Sequence, residues 1–339
     1  EKLPFVLYCK PNSKEMIGFF QRNDTLFQVA DFNEKGFVLS SFDGEKNYLI
    51  PENESEVLKF TLDKKESRVS LNEFTVVDLV AKSNFEALVA KGIQCIKNYE
   101  FNKVVLSRKE TVAVADFDLL SAFEKLVQLY PSTFVYCFYH PKIGTWLGAT
   151  PEQLLKANDT VFETISLAGT QKDMGSSEII WEKKEKEEQQ FVTDYIVSKL
   201  ESVASEVVVT EPYSIKAGSI WHIRTDISGR LNSDSSLQKV IHLLHPTPAV
   251  CGLPKNSAKA FILENEPHDR HFYSGFLGEL NSSFSTNSRS SDLFVNLRCM
   301  QIEDSKAHLY MGCGIIKDSI PEKEWEESVN KSMTIKKVL

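Results

Sequence analysis

The chain has 339 residues, 42% of them hydrophobic and 25% charged, which is typical of a globular protein with a large core. Its 47 acidic residues outnumber its 39 Lys and Arg residues, and no basic tract stands out, so we expect no nucleic-acid partner. No apolar run approaches the ~20 residues of a membrane span and no signal peptide precedes Pro4, so we expect no membrane partner. The six scattered cysteines form no Cys-x-x-Cys pair and indicate reduced thiols in a cytoplasmic protein.

The first 80 residues alternate short apolar runs with Asn, Asp and Gly, a pattern that predicts strands. These runs are Phe5–Tyr8, Leu26–Val29 and Phe37–Leu39. From Asn84 to Asn98 apolar residues recur at helical spacing. The elements expected next are a strand at Lys103–Leu106, a helix at Leu119–Leu129, strands at Phe134–Tyr139, Thr145–Leu147, Leu154–Lys156 and Val161–Ser166, and a helix through the acidic segment Trp181–Gln190.

The final third mixes helices with strands. Strands cluster rather than alternate strictly with helices, so we predict an α+β fold with large antiparallel β-sheets and helices packed outside. Without a repeat or a Pro/Gly linker, the chain is predicted to be a single compact unit, with a β-rich segment over residues 1–80 packed on a core over residues 81–339. The elements predicted here are helices at Leu237–Leu244 and Ala258–Glu264, strands at Phe272–Leu280, Asp292–Ile302 and Ala307–Met311, and a helix after Pro321.

Two pairs of glutamates lie far apart in the sequence, Glu185 with Glu188 and Glu324 with Glu327. At three-residue spacing both carboxylates of a pair share one helix face, where like charges repel by a few tenths of a kcal/mol. Two such pairs suit a hard divalent cation if their helices converge on a cavity. A solvated helix face is the ordinary explanation of either pair alone.

Seven short segments have unusual local sequences, and in this order they resemble the chorismate-utilising enzymes. That family includes isochorismate synthases, salicylate synthases, anthranilate synthase large subunits and aminodeoxychorismate synthases. The resemblance begins at about residue 84, reaches the C-terminus, and implies chorismate as the small-molecule substrate; residues 1–80 carry little of it. The segments are KVVLSR at 103–108, GATPE at 148–152, LAGT at 167–170, KEKEE at 184–188, HPTPAVCG at 245–252, DRHFYSG at 269–275 and GCGI at 312–315.

The sequence looks most similar to isochorismate synthases, which add water at C2 of chorismate while the C4 hydroxyl leaves. By this resemblance Lys103 is the base that activates water, so burial or a nearby cation should lower its pKa. Glu152 matches the general acid for the departing oxygen and must be held neutral. Taken alone, Lys103 could be a strand-edge lysine in solvent and Glu152 a helix N-terminal residue after Pro151.

The resemblance also implies Mg²⁺ as the cofactor. Glu188 and Glu327 match the principal magnesium ligands, with Glu185 and Glu324 as accompanying carboxylates that bind directly or through water. Gln189 departs from the pattern, because many members have His after the second glutamate.

The remaining candidates are assigned to substrate binding. Arg298 and Tyr273 match residues that hold the enolpyruvyl carboxylate, a group that arginine can grip with two hydrogen bonds. Lys331 lies one helical turn past Glu327 and matches a lysine near the ring carboxylate. His222 matches an active-site histidine, with a structural histidine as the alternative. The other assigned residues are Thr170, Ala249 and the amides around Gly312, Cys313 and Gly314.

Three positions favour hydration chemistry within the family. Ala168 stands where aminodeoxychorismate synthases have a nucleophilic lysine, and Lys103 is atypical of members that use ammonia. Ala249 resembles isochorismate synthases, whereas salicylate synthases tend to have Thr there. Isochorismate feeds both menaquinone and siderophore biosynthesis, and the sequence does not choose between them.

Several alternatives stay open. A salicylate synthase is the second choice, and a non-catalytic chorismate-binding protein is a third. If the resemblance is mistaken, a two-carboxylate hydrolase that uses Glu152 is the fallback. The pairs His242/His245 and His268/His271 lack the further ligands of a zinc site, so we expect none. We expect a monomer or a weak homodimer.

Overall fold

The computed structural model describes residues 2–62, 78–172, 179–217, 220–284 and 289–339. The helices in these residues are α1 (Leu79–Lys97), α2 (Leu119–Leu129), α3 (Lys183–Leu200), α4 (Leu237–Leu244), α5 (Lys255–Asn265) and α6 (Pro321–Lys336). The strands are β1 (Phe5–Cys9), β2 (Glu15–Gln21), β3 (Phe27–Gln28), β4 (Gly36–Ser40), β5 (Asn47–Pro51), β6 (Ser55–Thr61), β7 (Lys103–Ala113), β8 (Phe134–His140), β9 (Gly144–Thr150), β10 (Gln153–Asn158), β11 (Val161–Lys172), β12 (Ala204–Val209), β13 (Tyr213–Ala217), β14 (Ile220–Leu231), β15 (Gly252–Leu253), β16 (Phe276–Leu280), β17 (Ser290–Val295), β18 (Cys299–Glu303) and β19 (Lys306–Ile315).

The strands form two large antiparallel sheets. The first has the order β15-β7-β19-β18-β9-β8-β1-β2-β6, and the second has the order β12-β14-β11-β10-β17-β16-β4-β5-β3, with β13 paired to β14. The predicted α+β class with antiparallel sheets is therefore confirmed. The described strands of residues 1–80 extend both sheets, while residues 63–77 lie outside the described part of the chain.

Aromatic side chains from both sheets meet in the core. Phe134 of the first sheet stacks on Phe294 of the second, with ring centroids 4.4 Å apart. Tyr8 donates a 2.5 Å hydrogen bond to the buried carboxylate of Glu279, which also pairs with Lys10. Large rings bury the most apolar area per residue, and the paired charges satisfy the polar groups that this burial encloses.

The helices lie outside the sheets and begin where the sequence supplies caps. The Asp78 side chain accepts hydrogen bonds from the first turn of α1, and Asp118 does the same for α2. Helix α6 packs against α1 and β19, and α3 packs against β11 and β14. These contacts place both acidic helices beside strands that carry candidate site residues. In the described chain, none of the helices is long and apolar enough to cross a membrane.

Two predicted strands differ from the structure. The prediction of one strand over Asp292–Ile302 is wrong, because β17 ends at Val295 and β18 begins at Cys299. Between them Arg298 has a φ of 48°, in the left-handed region. The strand predicted to begin at Phe272 begins at Phe276, after a turn in which Gly275 N donates to Phe272 O. Both breaks lie at residues predicted to bind substrate.

Candidate active site

Lys103 is the first residue of β7 and lies at the centre of the candidate site. Its side chain is 17% exposed, and its Nζ lies 3.5 Å from Oε1 of Glu188 on α3. A Cβ on Gly314 of the neighbouring strand would come within 3.3 Å of Lys103 Cε. Glycine at position 314 therefore leaves room for the lysine side chain, which lies between β19 and the acidic end of α3.

Glu152 occupies the short connection between β9 and β10, and its backbone is fixed on both sides. Its N–H donates to Thr150 Oγ1 at 3.3 Å, and its carbonyl accepts from Val295 N at 2.9 Å. The buried Thr150 hydroxyl in turn donates to Val295 O at 2.6 Å. These three bonds hold the backbone of Glu152 in one place relative to β17.

Burial raises the pKa of Glu152 to about 7. The positive charge of Lys103 opposes this rise most strongly, followed by those of Arg298 and Lys331. A small cavity of about 20 Å³, enough for one water, lies against Glu152 and is walled largely by apolar side chains such as Ile165. A carboxyl in these surroundings can carry a proton near neutral pH and still lie within electrostatic range of three cations.

Tyr273 and Arg298 lie together at the end of the first sheet. The Tyr273 ring stacks on Tyr310 at 5.6 Å, and its hydroxyl lies 2.6 Å from the position of a Cβ on Gly312. Burial lowers the pKa of the Arg298 guanidinium, and nearby Tyr273 and Glu327 oppose that shift. Among the described residues no carboxylate forms an ion pair with Arg298, so this cation is suited to an incoming anion.

The Gly312–Gly314 segment of β19 has an open edge, because β18 pairs with β19 only as far as Leu309. Lys331 Nζ donates to Gly312 O at 2.8 Å, so that carbonyl points away from β7. In an antiparallel ladder the N–H of a residue points to the same side as its C=O, and the direction alternates along the strand. The amides of Gly312 and Gly314 therefore face the open edge, whereas the Cys313 amide faces β7.

His222 lies on β14, beside the β11 segment that carries Thr170. Its Nδ1 lies 2.9 Å from Gly169 O, which makes Nδ1 the donor and leaves Nε2 the acceptor in the neutral ring. Burial lowers the pKa of His222, as do the nearby charges of Lys331 and Arg298, whereas Glu327 raises it. The Thr170 side chain lies outside the described residues.

The two glutamate pairs do not form one tight cluster of ligand atoms. Ligand atoms of Glu324, Glu327 and Cys313 lie within 4.8 Å of one another, and Glu185 and Glu188 do not join that cluster. Glu185 instead approaches Gly169, since its Cβ lies 3.4 Å from the position of a Cβ there. His222 lies near both regions, since it contacts Gly169 and feels the charge of Glu327.

The donor set suits a hard cation. Glu185 Oε2 is buried without a hydrogen-bond partner in the described chain. Burial raises the pKa of Glu324, and repulsion from Glu327 adds to it. The Cys313 thiol has a pKa raised to about 12 by burial and donates to Glu324 O, so it is an unsuitable ligand for such an ion. The carboxylates alone fit Mg²⁺. A bound cation would give Glu185 Oε2 a partner and would reduce the repulsion between Glu324 and Glu327.

Comparison with known proteins settles the family. Residues 41–339 match the family model described as chorismate binding enzyme. The chain belongs to the chorismate-binding enzymes. It is 30% identical over 278 residues to the isochorismate synthase EntC of Escherichia coli K12, covering 78% of this chain and 69% of that protein. It is 29% identical over 267 residues to the isochorismate synthase MenF of Pasteurella multocida, covering 74% and 60%.

Two solved structures show the same fold as this chorismate-binding enzyme. MenF of Escherichia coli aligns with a TM-score of 0.82 and 23% identity, covering 99% of this chain and 88% of that one. DhbC of Bacillus anthracis aligns with a TM-score of 0.80 and 22% identity, covering 100% and 96%. The family match begins at residue 41, well before the start near residue 84 that the sequence motifs indicated.

Gln189, the departure from the family pattern, belongs to the core of this chorismate-binding enzyme. It is 1% exposed, and its Nε2 donates to Thr225 Oγ1 at 2.6 Å and to Thr193 Oγ1 at 2.9 Å. The bond to Thr225 anchors α3 to β14, whereas Thr193 lies on α3 itself. The buried side chain thus holds the helix in place.

Sequence reasoning missed two groups that support the site. Arg270 is 3% exposed, pairs with Glu266 at 2.5 Å, and donates to Val105 O and Val250 O. It thereby joins β7, which carries Lys103, to the loop that carries Ala249. Arg270 belongs to the DRHFYSG segment, which stood out in the sequence. The sequence alone, however, does not show whether an arginine is buried or exposed. Thr247 was missed too, although its buried hydroxyl lies beside Glu152.

Proposed function

We propose that this chorismate-binding enzyme is an isochorismate synthase that takes chorismate as its substrate. The observation that carries the proposal is Glu152, a carboxyl whose pKa is raised to about 7 within electrostatic range of the Lys103 amine. Hydration at C2 with loss of the C4 hydroxyl needs one group that accepts a proton and one that donates it. The names of the two relatives compared above support the same activity.

Lys103 is the base in this proposal. To act as a base it must be the free amine, so it first releases its ammonium proton to solvent and loses its ion pair with Glu188, which at 3.5 Å is loose and partly exposed. Its amine then accepts a proton from a water molecule as the water oxygen bonds to C2.

Glu152 is the acid. It donates its proton to the C4 oxygen, which leaves as water while the ring double bonds shift. One water enters and one departs, so the composition of the product equals that of the substrate. Lys103 then holds the extra proton, and exchange with solvent restores both groups.

Substrate carboxylates supply the remaining contacts. We assign Arg298 and the Tyr273 hydroxyl to the enolpyruvyl carboxylate. We assign the amides of Gly312 and Gly314, which face the open edge of β19, to the ring carboxylate. We assign Glu188 and Glu327 as Mg²⁺ ligands, accompanied by Glu185 and Glu324. When bound there, Mg²⁺ supplies positive charge for the ring carboxylate.

Incubation with chorismate and Mg²⁺, followed by chromatographic identification of the products, tests the proposal. Isochorismate without pyruvate is the expected result. Salicylate with stoichiometric pyruvate would make the protein a salicylate synthase. Calorimetric binding of chorismate without turnover would make it a binding protein instead.

A further inference from the structure

A second cavity, of about 540 Å³, lies away from the candidate active site. Its volume is that of a typical small-molecule site. Its walls come from the β4–β5 connection, the β8–β9 turn and the segment that follows α5. The residues that define it are Lys46, Tyr48, Lys142, Trp146, Asp269 and Phe272.

Aromatic rings form one wall of this cavity. The Trp146 ring meets Phe272 edge-on at 5.4 Å, and Phe272 meets Tyr48 at 5.9 Å. Such a wall accommodates a planar ring, because ring faces and edges both offer favourable contacts.

Trp146 carries an unsatisfied donor in the same wall. The residue is 0% exposed, and its Nε1 has no hydrogen-bond partner among the described residues. Its cross-strand partner Gln301 also lines the cavity, so the indole lies on the cavity side of β9. A buried tryptophan N–H usually finds an acceptor, and here a ligand could supply one.

Two lysines line the cavity with N–H donors, whereas its carboxylates already accept hydrogen bonds. Asp43 accepts a hydrogen bond from Ser41, and Asp269 accepts from His271 N and pairs with the His271 ring at 3.3 Å. Among the described residues Lys142 Nζ donates to a backbone carbonyl, that of Asp24, at 3.1 Å. Within the described chain neither Lys46 nor Lys142 forms an ion pair with a carboxylate. Arg270 and Glu266 pair with each other, and the formal charges of the two lysines are equal and opposite to those of Asp43 and Asp269. The lysines therefore offer a carboxylate ligand N–H donors rather than a net positive charge.

We propose that this cavity binds a small aromatic carboxylate. The ring of the ligand packs against Trp146 and Phe272, and its acceptor oxygens meet the Trp146 N–H and the two lysines. The cavity shares no lining residue with the proposed catalytic set. It is nonetheless joined to that set by stacked rings, since Trp146 stacks on Tyr310 at 5.5 Å and Tyr310 stacks on Tyr273.

Calorimetric titration of the full chain with benzoate tests this proposal. Saturable 1:1 binding with a Kd below about 1 mM is expected for a ligand of this size. Trp146→Phe keeps a ring but removes the donor, and should weaken binding about tenfold. If that variant folds poorly, the double variant Lys46→Gln/Lys142→Gln, which changes only exposed residues, should also weaken it. Lys239→Gln is the matched control, because Lys239 is exposed and likewise donates to a backbone carbonyl.

The active site could itself bind benzoate, so each titration is repeated in Arg298→Gln. Binding that survives Arg298→Gln and weakens with the lysine double variant supports the second cavity. The proposal is overturned if benzoate binding is lost in Arg298→Gln and is unchanged in Lys46→Gln/Lys142→Gln. Tighter binding of benzylamine than of benzoate overturns the inferred charge, and the absence of any saturable benzoate binding overturns the site.

Discussion

The Tyr273 hydroxyl lies 2.6 Å from where a Cβ on Gly312 would stand, so the identity of one residue depends on the placement of the other. Real Cβ atoms essentially never make contacts that short, and Leu106 O lies 3.3 Å from the same position. Gly312→Ala should therefore displace Tyr273 and raise the KM for chorismate roughly tenfold, because misplaced contacts to the substrate lose their binding energy.

A double variant isolates this contact. Tyr273→Phe removes the hydroxyl that would meet the new methyl group. If the collision is the cause, Gly312→Ala should cost several-fold less in the Tyr273→Phe background than in the wild-type protein. Strictly additive effects on kcat/KM would show that the collision is not the cause.

Glu152 should give the pH profile of kcat/KM its alkaline limb. The acid must be protonated to donate, and its pKa is raised to about 7, so activity should fall as pH rises through that value. Glu152→Gln should lower kcat by at least about 100-fold. The limb should persist in His222→Asn, whatever rate remains. If the alkaline limb is absent in His222→Asn, the group that titrates is His222 and not Glu152.

The same raised pKa predicts that catalysis is obtained at a cost in stability. The ordinary pKa of a glutamate is 4.5. Below that pH the Glu152 carboxyl is protonated in both the folded and the unfolded chain and does not change the free energy of unfolding. As pH rises from there to about 7, only the unfolded chain loses the proton, so folding is progressively disfavoured. At pH 8, without substrate or metal, Glu152→Gln should therefore be more stable than the wild type by about 1–3 kcal/mol. Denaturant unfolding at pH 8 and pH 5 measures this, and an equal gain at both values would contradict the mechanism.

Removal of the metal should abolish turnover. Dialysis against a chelator is expected to inactivate the enzyme, and Mg²⁺ to restore it. Glu188→Gln and Glu327→Gln should each raise the Mg²⁺ concentration for half-maximal activity at least about tenfold. Glu187→Gln and Glu326→Gln are matched controls, since these exposed neighbours lie on the same helices. Equal responses from ligands and controls would remove the quartet from its assigned role.

The sequence predicted an element accurately where nearby residues set its ends, and failed where distant residues set them. Helices α2 and α4 match their predictions to the residue, because strong amphipathic patterns and nearby stop signals set their ends. The break before Arg298 could not be predicted, because it depends on distant partners. Ser274 N donates to Asn296 O, Asn296 N donates to Gly275 O, and Arg298 O accepts from Ala149 N.

The residues of the candidate site likewise divide into those that the sequence predicted and those that depend on distant partners. Lys103, Glu152 and the glutamate quartet were assigned from family motifs, since spacing alone could not distinguish the acidic pairs from solvated helix faces. The anchoring role of Gln189 was not foreseen, because its threonine partner Thr225 lies on a strand that the sequence pattern did not reveal.

Arg270 should contribute more to stability than any exposed arginine. It is buried against Glu266, with further bonds to Val105 O and Val250 O, so truncation would leave a buried carboxylate and two backbone acceptors without their partner. Breaking such a pair typically costs about 3–5 kcal/mol, and Arg270→Ala is expected to unfold at a correspondingly lower denaturant concentration. Arg230 is the control, because its pairing with Glu206 is 3.7 Å long and both side chains are more than half exposed. Arg230→Ala should change stability by less than about 1 kcal/mol, and similar losses from the two variants would mean that the Arg270 pair does not hold β7 to the Ala249 loop.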